Sequence, residues 1–351
     1  MTLSIPIVLL ALVATGAAAP ALAQARGAAA GADVAGYQGA DRAERLGQGA
    51  KREGEVSVYA SAPADDMAFL TAAFEKKHGI RVRVWRASSE HVLQRALAEA
   101  RSGRFEADVF ETNAPEMEVL HREKLLQEVR SPYLEDLMPQ AIPPHRDWIG
   151  TRVNLFAAAY NTRLVKKEEL PRTWEDLLHP RWKSRLGIES EDLDWFAEVV
   201  KELGEARGLK LFREIVAANG VSVRKGHTLL TNLVVSGEVP LALTVYQYKV
   251  EQLKNRGAPV DWLVIPPAVA RVQAVGMARR ASHPHAAVLF VDFMLSDAQA
   301  LLLKRDFVPT SRKLRTPLER LALRFVDPKI LLEEHAKWAK LYREIVTHPS
   351  R

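Results

Sequence analysis

Near its middle the chain reads Trp148-Ile-Gly-Thr-Arg-Val-Asn-Leu-Phe-Ala-Ala-Ala-Tyr-Asn161. This stretch is apolar and rich in alanine and aromatic residues, contains no proline, and has one glycine near its start. Such a run is typical of a buried strand. Strand-and-helix units precede it and a second series starts after it, so we expect it to carry the chain from one lobe into another. The alternative is an ordinary core strand of a single domain.

Three strand-and-helix units precede the central stretch. Their strands are predicted at 56–60, 80–84 and 108–111, and the helices that follow begin near Pro63, Ser88 and Asn113. The second strand shows the alternation of apolar and polar residues that a half-buried strand requires. Serial units of this kind predict a parallel sheet covered by helices.

A second series follows the central stretch. Its strands are predicted at 186–188, 221–223 and 240–245, and apolar runs at 262–265 and 272–278 are interpreted as a return towards the first lobe. We therefore predict an α/β protein with two lobes joined by two crossing strands. Lobe 1 comprises residues 54–152 plus 268–351, with the C-terminal helices, and lobe 2 comprises residues 153–267.

The N-terminus has the features of an export signal. An apolar run over 5–19 is followed by Ala21-Leu22-Ala23, a small-residue cleavage pattern, although no lysine or arginine precedes the run. We expect residues 1–23 to be a cleaved signal peptide, which places the mature protein in the periplasm. Residues 24–53, rich in alanine and glycine, are expected to form a flexible lead-in.

Composition narrows the possible functions. The 351 residues include 26% charged residues, a net charge of +6 that is spread along the chain, and no cysteine. Disulfides, thiolate metal sites and cysteine nucleophiles are therefore excluded. No basic block with interleaved aromatic residues indicates a nucleic-acid partner, and the sequence contains no P-loop, nucleophile elbow or zinc-protease motif.

Four segments together resemble a known family. They are Thr173–Leu177 with Pro180–Lys183, Ser236–Glu238, His283–Ala287 and Phe307–Thr310. In this order and spacing they resemble the ferric-type (family 1) periplasmic solute-binding proteins of ABC importers. The similarity covers roughly residues 54–312.

The resemblance implies a type II periplasmic-binding-protein fold with a cleft between the lobes. It implies a binding protein rather than an enzyme, monomeric and without a cofactor, which captures a small solute by hinge closure. The solute, an organic or phosphate-containing anion or a ferric ion, would be delivered to a permease in the inner membrane. An enzyme on a similar two-lobed frame and a ligand-sensing module for a membrane receptor remain alternatives.

Ligands of open α/β sheets bind beyond the carboxyl ends of the strands, often at helix N-termini. The residues predicted to contact the ligand from these positions and from the crossing strand are Ser61, Ser88, Ser89, Thr112, Asn113, Arg152, Asn154, Asp192, Tyr246 and Tyr248. The alternative for the serines, Thr112 and Asn113 is helix capping alone. The acidic run that includes Asp192 is also compatible with a solvated helix start.

Ferric ligation by this chain would depart from the family pattern. Ferric binders of the family use two adjacent tyrosines, a carboxylate and often a histidine, whereas Gln247 separates Tyr246 from Tyr248 here. The two tyrosines and Glu111 are the candidate metal ligands. Because no histidine lies in the loop after the first strand, we favour an organic anion over iron. Aromatic packing in the cleft is the alternative role of the tyrosines.

Overall fold

The computed structural model of the protein describes residues 31–347. Its twelve strands belong to one sheet. The strands are β1 (Glu55–Ala60), β2 (Arg81–Arg86), β3 (Val109–Asn113), β4 (Leu126–Gln127), β5 (Ile149–Asn161), β6 (Leu186–Glu189), β7 (Ser222–Arg224), β8 (Leu241–Tyr246), β9 (Val260–Leu263), β10 (Ala268–Ala278), β11 (Val308–Pro309) and β12 (Leu323–Phe325).

Residues 31–36 are helical, and twelve further α-helices accompany these strands within the same described range. They are α1 (Arg42–Glu53), α2 (Ala64–His78), α3 (Ser89–Arg101), α4 (Ala114–Arg122), α5 (Leu193–Leu203), α6 (Glu205–Asn219), α7 (His227–Ser236), α8 (Gln247–Lys254), α9 (Pro284–Leu295), α10 (Asp297–Leu303), α11 (Ile330–Glu333) and α12 (His335–Tyr342). Short 3-10 helices lie between them, and a π-helical turn over Arg343–Thr347 follows α12.

The two longest strands cross between two halves of the sheet. The strand order is β2-β1-β3-β10-β5-β8-β6-β7, so β10 and β5 occupy the centre. The first half of β5 pairs antiparallel with β10, whereas its second half pairs with β8 and β9. The predicted two-lobed α/β fold with two crossing strands is therefore confirmed.

All thirteen residues of β5 are buried. A strand covered on both faces lacks the apolar–polar alternation of a surface strand, which explains the continuous apolar run in the sequence. Position 150 requires glycine because neighbouring side chains approach the backbone closely. A Cβ there would lie 2.5 Å from Val272 Cγ1 and 2.9 Å from Ala141 Cβ.

The helices of lobe 1 begin where its parallel strands end. β1 pairs parallel with β2 and β3, so their carboxyl ends meet at one edge of the sheet. At this edge Ser88 caps α3, because its hydroxyl accepts a hydrogen bond from His91 N at 3.3 Å. Asn113 precedes α4 in extended conformation. This edge therefore collects the helix starts expected from the sequence.

Part of the predicted lead-in is an ordered helix. Within α1, Leu46 and Ala50 are buried, and the helix packs on α9. Arg42 forms a buried ion pair with Asp292 of α9. The expectation of a flexible segment is wrong for residues 42–53, because the packing and the ion pair that order them involve a helix about 250 residues away. The predicted signal peptide, residues 1–23, lies outside the described residues.

The C-terminal helices contact both halves of the molecule. α11 packs on α4, whereas α12 packs on α5, which lies within the stretch predicted as lobe 2. The proposed lobe boundaries at 152/153 and 267/268 stay predictions. Over residues 31–347, no single helix is long and apolar enough to cross a membrane, and α9 and α10, which reach that length together, are bent by 48°.

Replacing either of two helical glycines by alanine should change stability, in opposite directions. A Cβ at Gly208 in α6 would lie 2.9 Å from Val200 Cα and 3.0 Å from Val200 O, whereas a Cβ at Gly47 in α1 meets nothing within 4 Å. We expect Gly208→Ala to lower the free energy of unfolding by about 1–3 kcal/mol through overpacking. Gly47→Ala should raise it by about 0.5–1 kcal/mol through helix propensity. Urea unfolding measures both, and equal shifts in the two variants would contradict the packing argument.

Candidate ligand-binding cleft

Polar residues on the crossing strands connect the loops of lobe 1. Gln273 on β10 donates from Nε2 to Ser61 Oγ at 2.9 Å and accepts from Asn154 Nδ2 on β5 at 3.4 Å. Asn113 Nδ2 donates to Ser89 Oγ at 2.8 Å. The structure thus brings these predicted residues to one edge, whereas the Ser88 hydroxyl serves as a helix cap.

Arg152 and Glu111 form a fully buried ion pair. Arg152 NH1 donates to Glu111 Oε1 at 2.8 Å, and the two side chains are 2% and 0% exposed. The other carboxylate oxygen accepts from Ala62 N at 3.1 Å and from Ser61 N at 3.3 Å. Both Glu111 oxygens are therefore occupied, so its predicted role as a metal ligand would require displacement of these donors.

A second buried arginine, Arg271 on β10, holds residues of lobe 2. Its NH1 donates to Asp194 Oδ2 at 2.6 Å, and its NH2 donates to the hydroxyl of Tyr246. The guanidinium also lies 4.9 Å from the ring centroid of Phe156. Burial lowers the pKa of Arg271, but Asp194 and then the Tyr246 oxygen and Asp192 raise it well above its usual value. Arg271 therefore keeps its charge.

Glu189, Asp192 and His227 form a cluster at the carboxyl end of β6. One ligand atom of each residue lies within 4.8 Å of the others, a spacing that a metal ion can bridge. His227 Nε2 is 3.3 Å from Asp192 Oδ1. Glu189 Oε1 accepts from Gly226 N at 2.8 Å, and its Oε2 accepts from Glu191 N at 2.5 Å. These bonds tie together the two loops that carry Asp192 and His227.

Burial and charge shift both titratable ends of this cluster. Burial raises the pKa of Glu189, and the neighbouring Asp192 raises it further. Burial lowers the pKa of His227, but the charge of Asp192 and the hydrogen bond to it outweigh burial, so the pKa lies above its usual value. The cluster attracts positive charge, whether as a proton or as a metal ion.

Tyr246 and Tyr248 lie side by side in the cleft, although only Tyr246 belongs to a strand. Their ring centroids are 5.8 Å apart with planes inclined by 20°. Tyr246 also packs on His227 at 3.9 Å, and Tyr248 on Phe307 at 4.1 Å. Because β8 ends at Tyr246 and α8 starts at Gln247, the chain turns between the two phenols.

Burial raises the pKa of both phenols above the usual range. The charge of Arg271 acts against this rise at Tyr246, and the charge of Arg152 acts against it at Tyr248. Each tyrosine therefore has a nearby buried arginine that makes its phenolate less costly.

Glu116 is a cleft residue that the sequence did not single out. It lies in the first turn of α4 and is only 9% exposed. Burial raises the pKa of Glu116 to about 7, while the charge of Arg271 acts in the opposite direction. Its position three residues after Asn113, at a helix start predicted to face the cleft, was the available signal.

Arg271, Gln273 and His227 were also missed as individual residues. Arg271 and Gln273 stand two apart in an otherwise apolar strand and therefore share one face. That spacing was the signal for a polar face on the return strand. Glu189 belongs to the same acidic run as Asp192, and His227 follows the strand predicted at 221–223, but nothing in the sequence distinguished His227 from its neighbours.

Unpartnered polar atoms concentrate on these same elements. Within residues 31–347, the buried side-chain atoms without a hydrogen-bond partner are Thr112 Oγ1, Glu116 Oε2, Arg152 Nε, Asn154 Oδ1, Asp192 Oδ2, His227 Nδ1 and Arg271 Nε. All seven belong to strand ends, helix starts and crossing strands that meet between the lobes. Because buried polar groups are nearly always paired, their concentration makes this cleft the candidate ligand site.

Another histidine cluster lies away from the cleft. His121 and His145 stack at 3.6 Å between ring centroids with planes inclined by 12°. His145 Nε2 is 3.0 Å from Glu118 Oε2, and His121 Nδ1 is 2.6 Å from Asp147 Oδ2. Nearly parallel rings do not direct their nitrogens at one point, as tetrahedral coordination requires. We interpret this cluster as structural.

A cavity of about 500 Å³ also lies outside the cleft, between the end of α3, residues 123–125 and residues 278–280. Its lining combines alanine, leucine and phenylalanine residues with arginine, lysine and glutamate residues. No predicted ligand-binding residue lines it.

The geometry of the cleft agrees with comparison to known proteins. Residues 107–331 match the family described as bacterial extracellular solute-binding protein. The chain belongs to this family. Such proteins bind a small ligand or ferric iron and work with ABC permeases, and the family consists of transport proteins.

Curated relatives of this family member include iron-binding proteins. Iron uptake protein A1 of Synechocystis sp. is 27% identical over 72% of this chain and 74% of the relative. The Fe(3+)-binding periplasmic protein of Serratia marcescens is 25% identical over 57% of this chain and 60% of the relative.

Solved structures show the same two-lobed fold. Iron-bound HitA from Pseudomonas aeruginosa superposes with a TM-score of 0.72 at 22% identity, covering 83% of this chain and 99% of HitA. AfuA from Actinobacillus pleuropneumoniae, with fructose-6-phosphate bound, gives 0.75 at 20% identity, covering 84% and 99%. The predicted periplasmic-binding-protein fold is confirmed.

The raised pKa of Glu116 predicts how stability depends on pH. In the ligand-free protein its pKa is about 7, above the ordinary 4.5, so folding favours the protonated carboxyl. This contribution is complete below pH 4.5 and is lost as pH rises through 7. Glu116→Gln should therefore gain stability relative to the wild type over this range, by roughly 3 kcal/mol at most at pH 8. Urea unfolding between pH 4.5 and 8 measures the difference.

The matched control is Glu168→Gln, the replacement of an exposed acid that is not among the charges acting on Glu116, and the stability of Glu116→Gln should depend on pH differently from that of this control. Parallel profiles for Glu116→Gln and the wild type would contradict the burial of an ionisable Glu116.

Proposed function

We propose that this cleft captures ferric iron and that the protein delivers the ion to an inner-membrane ABC permease. The observation that carries the proposal is an excess of buried carboxylates in the cleft. The buried carboxylates are Glu111, Glu116, Glu189, Asp192 and Asp194, whereas the buried guanidiniums are Arg152 and Arg271.

Ion pairing leaves this excess at one place. Arg152 compensates Glu111, and Arg271 compensates Asp194. The cationic neighbours of Glu116, Glu189 and Asp192 are then His227, Arg271, whose charge acts on Glu116 and whose NH2 lies 3.7 Å from Asp192, and Lys225, which interacts with Glu189. An uncompensated carboxylate is costly to bury. A multiply charged cation supplies the missing charge in a single ligand.

The available donor atoms suit a hard metal ion. Asp192 Oδ2 and His227 Nδ1 are buried without partners, and Glu189 lies in the same cluster. The ring of Tyr246 packs on His227 with 3.9 Å between centroids, and the charge of Arg271 acts against the rise in pKa that burial causes at this phenol. Fe(III) prefers oxygen donors, phenolate and carboxylate among them. Two relatives at 25–27% identity, one named for iron uptake and one for Fe(3+) binding, support the same cargo.

An organic or phosphate-containing anion is the second candidate. The Nε atoms of Arg152 and Arg271 are buried donors without partners, and the Thr112 hydroxyl is also unpartnered. These groups would bind an anionic oxygen. The carboxylate excess nevertheless opposes an anion that arrives without a cation. The charges of the cleft thus favour iron over the organic anion that the sequence alone favoured.

Contacts across the cleft support hinge closure. Gln252 of α8 donates from Nε2 to Arg305 O at 2.9 Å and to Asp66 Oδ1 at 3.3 Å. Asn255 Nδ2 donates to Asp306 Oδ1 at 3.0 Å. These hydrogen bonds join the predicted lobe 2 to lobe 1 in addition to the crossing strands. We place the hinge in residues 152–156 of β5 and in residues 264–267, which directly precede β10, because few backbone angles need to change there.

Ferric loading should colour the protein through phenolate-to-iron charge transfer. We expect Tyr246→Phe to abolish or strongly weaken the visible band, because it removes the phenol beside the Glu189–Asp192–His227 cluster. Absorbance during titration with ferric citrate measures the band. Tyr160→Phe is the control, since Tyr160 is also buried but pairs with Leu241 at the opposite end of β8.

Colourless protein that takes up no ferric ion would reject iron as the cargo. Binding of a phosphate ester or an organic acid, with an affinity unchanged by Tyr246→Phe, would favour the second candidate.

Loss of the Gln252 contacts should shift the protein towards the open state. We expect Gln252→Ala to increase the radius of gyration of the ligand-free protein and to weaken ligand binding about 2- to 10-fold, since one closed-state hydrogen-bond donor is removed. Small-angle scattering with and without ferric citrate measures the first effect. The control is Gln94→Ala on α3, whose side chain contacts only Glu90. An unchanged radius in Gln252→Ala would contradict its role in closure.

A further inference from the structure

The C-terminal segment contacts both lobes before it reaches the cleft. β12 pairs parallel with β10, one of the crossing strands. α11 then packs on α4 of lobe 1, where Arg122 NH2 lies 3.3 Å from Glu333 Oε1. α12 continues onto α5 of lobe 2. The position of α12 is thus connected to both halves of the molecule.

Packing fixes α12 independently of the cleft. Trp338 is fully buried and its ring lies 6.2 Å from that of Phe196, while the ring of Tyr342 lies 5.3 Å from Phe196. Ion pairs flank the contact, Lys201–Glu334 at 2.8 Å and Lys337–Glu205 at 2.7 Å. Tyr342 is therefore held in a defined orientation on α5.

The hydroxyl of Tyr342 donates a hydrogen bond to the backbone carbonyl of Glu189. Burial raises the pKa of Tyr342 well above its usual value, and Asp192 and Glu189 raise it further, so the hydroxyl stays protonated and remains a donor. The Glu189 carboxylate accepts from Glu191 N and Gly226 N. Glu189 therefore connects α12 to both loops of the cluster, because its backbone carbonyl accepts from Tyr342 and its carboxylate accepts from the two loop amides.

We propose that Tyr342 is a positioning residue of the cleft, whose hydrogen bond to Glu189 O fixes the loops carrying Asp192 and His227 and so sets the affinity for the cargo. Tyr342 does not contact the ligand and acts through Glu189. Only the identity of the cargo in this inference rests on the proposed function. The restraint on the loops is a property of the ligand-free protein.

The physical reason is the cost of ordering ligand donors. A loop that moves must lose conformational entropy when the ion binds, whereas a loop already held in place does not. Residues that orient metal ligands without touching the metal typically change affinity about 10- to 100-fold when they are replaced. Loss of the Tyr342 hydroxyl should therefore weaken binding while the ring still packs on Phe196.

The test compares Tyr342→Phe with the wild type in two measurements. Amide hydrogen exchange of the ligand-free full chain should become about 10-fold faster over residues 186–194 and 222–228. In this variant Glu189, which accepts from Glu191 N and Gly226 N, is no longer held in place by Tyr342. Titration with ferric citrate should show an affinity about 10-fold lower. The exchange measurement requires no ligand, so it does not depend on the identity of the cargo.

Tyr59→Phe is the matched control. Tyr59 is buried and its hydroxyl also donates to a glutamate, Glu99 Oε1 at 2.7 Å, but it lies in lobe 1 on the side of α3. This variant loses a comparable hydrogen bond and should leave both the exchange of the two loops and the ferric affinity unchanged. A merely structural role for Tyr342 predicts that the two variants behave alike.

Unchanged exchange of both loops in Tyr342→Phe would overturn the proposal, as would faster exchange combined with wild-type affinity. Wild-type protein that binds no ferric ion, while Tyr342→Phe still loosens both loops, would overturn the proposed function and support the positioning of the loops by Tyr342.

Discussion

Two buried arginines on the crossing strands determine how the rest of the cleft is arranged. Arg152 on β5 pairs with Glu111 of lobe 1, and Arg271 on β10 pairs with Asp194 of lobe 2. A buried charge is costly unless an opposite charge is paired with it. Each crossing strand therefore requires a lobe to present a carboxylate at a fixed place. The strands consequently position the strand ends of both lobes as well as linking them.

The sequence predicted the fold well because its main signal is local. A central strand buried on both faces reads as one apolar run, and β5 extends over thirteen buried residues where that run was found. Helix α1 escaped prediction because its order comes from a distant contact. Its alanine and glycine content suggested disorder, whereas the Arg42–Asp292 pair and packing on α9 hold it in place. Similarly, nothing near Tyr342 in the sequence indicates that it reaches Glu189.

The cleft was predicted at the level of segments and less well at the level of residues. Carboxyl ends of strands pointed to Ser61, Asn113 and Asp192, because that rule depends only on topology. Arg271 and Glu116 were missed because their importance arises from burial against the opposite lobe. Which carboxylates are paired with a cation depends on the residues that meet in the folded cleft, and the sequence does not show these contacts. This also explains why the sequence favoured an anionic ligand whereas the assembled charges favour a cation.

The same charge excess explains why a ligand would drive closure. Glu116 belongs to lobe 1, whereas Glu189 and Asp192 belong to the predicted lobe 2, so closing the empty cleft buries carboxylates from both sides. Desolvation and mutual repulsion both oppose that state. A cation removes both costs only when the lobes meet around it, and a ligand shifts an equilibrium by its difference in affinity for the two states. The unpaired carboxylates that make the empty closed state unfavourable are thus the groups that make the loaded closed state stable.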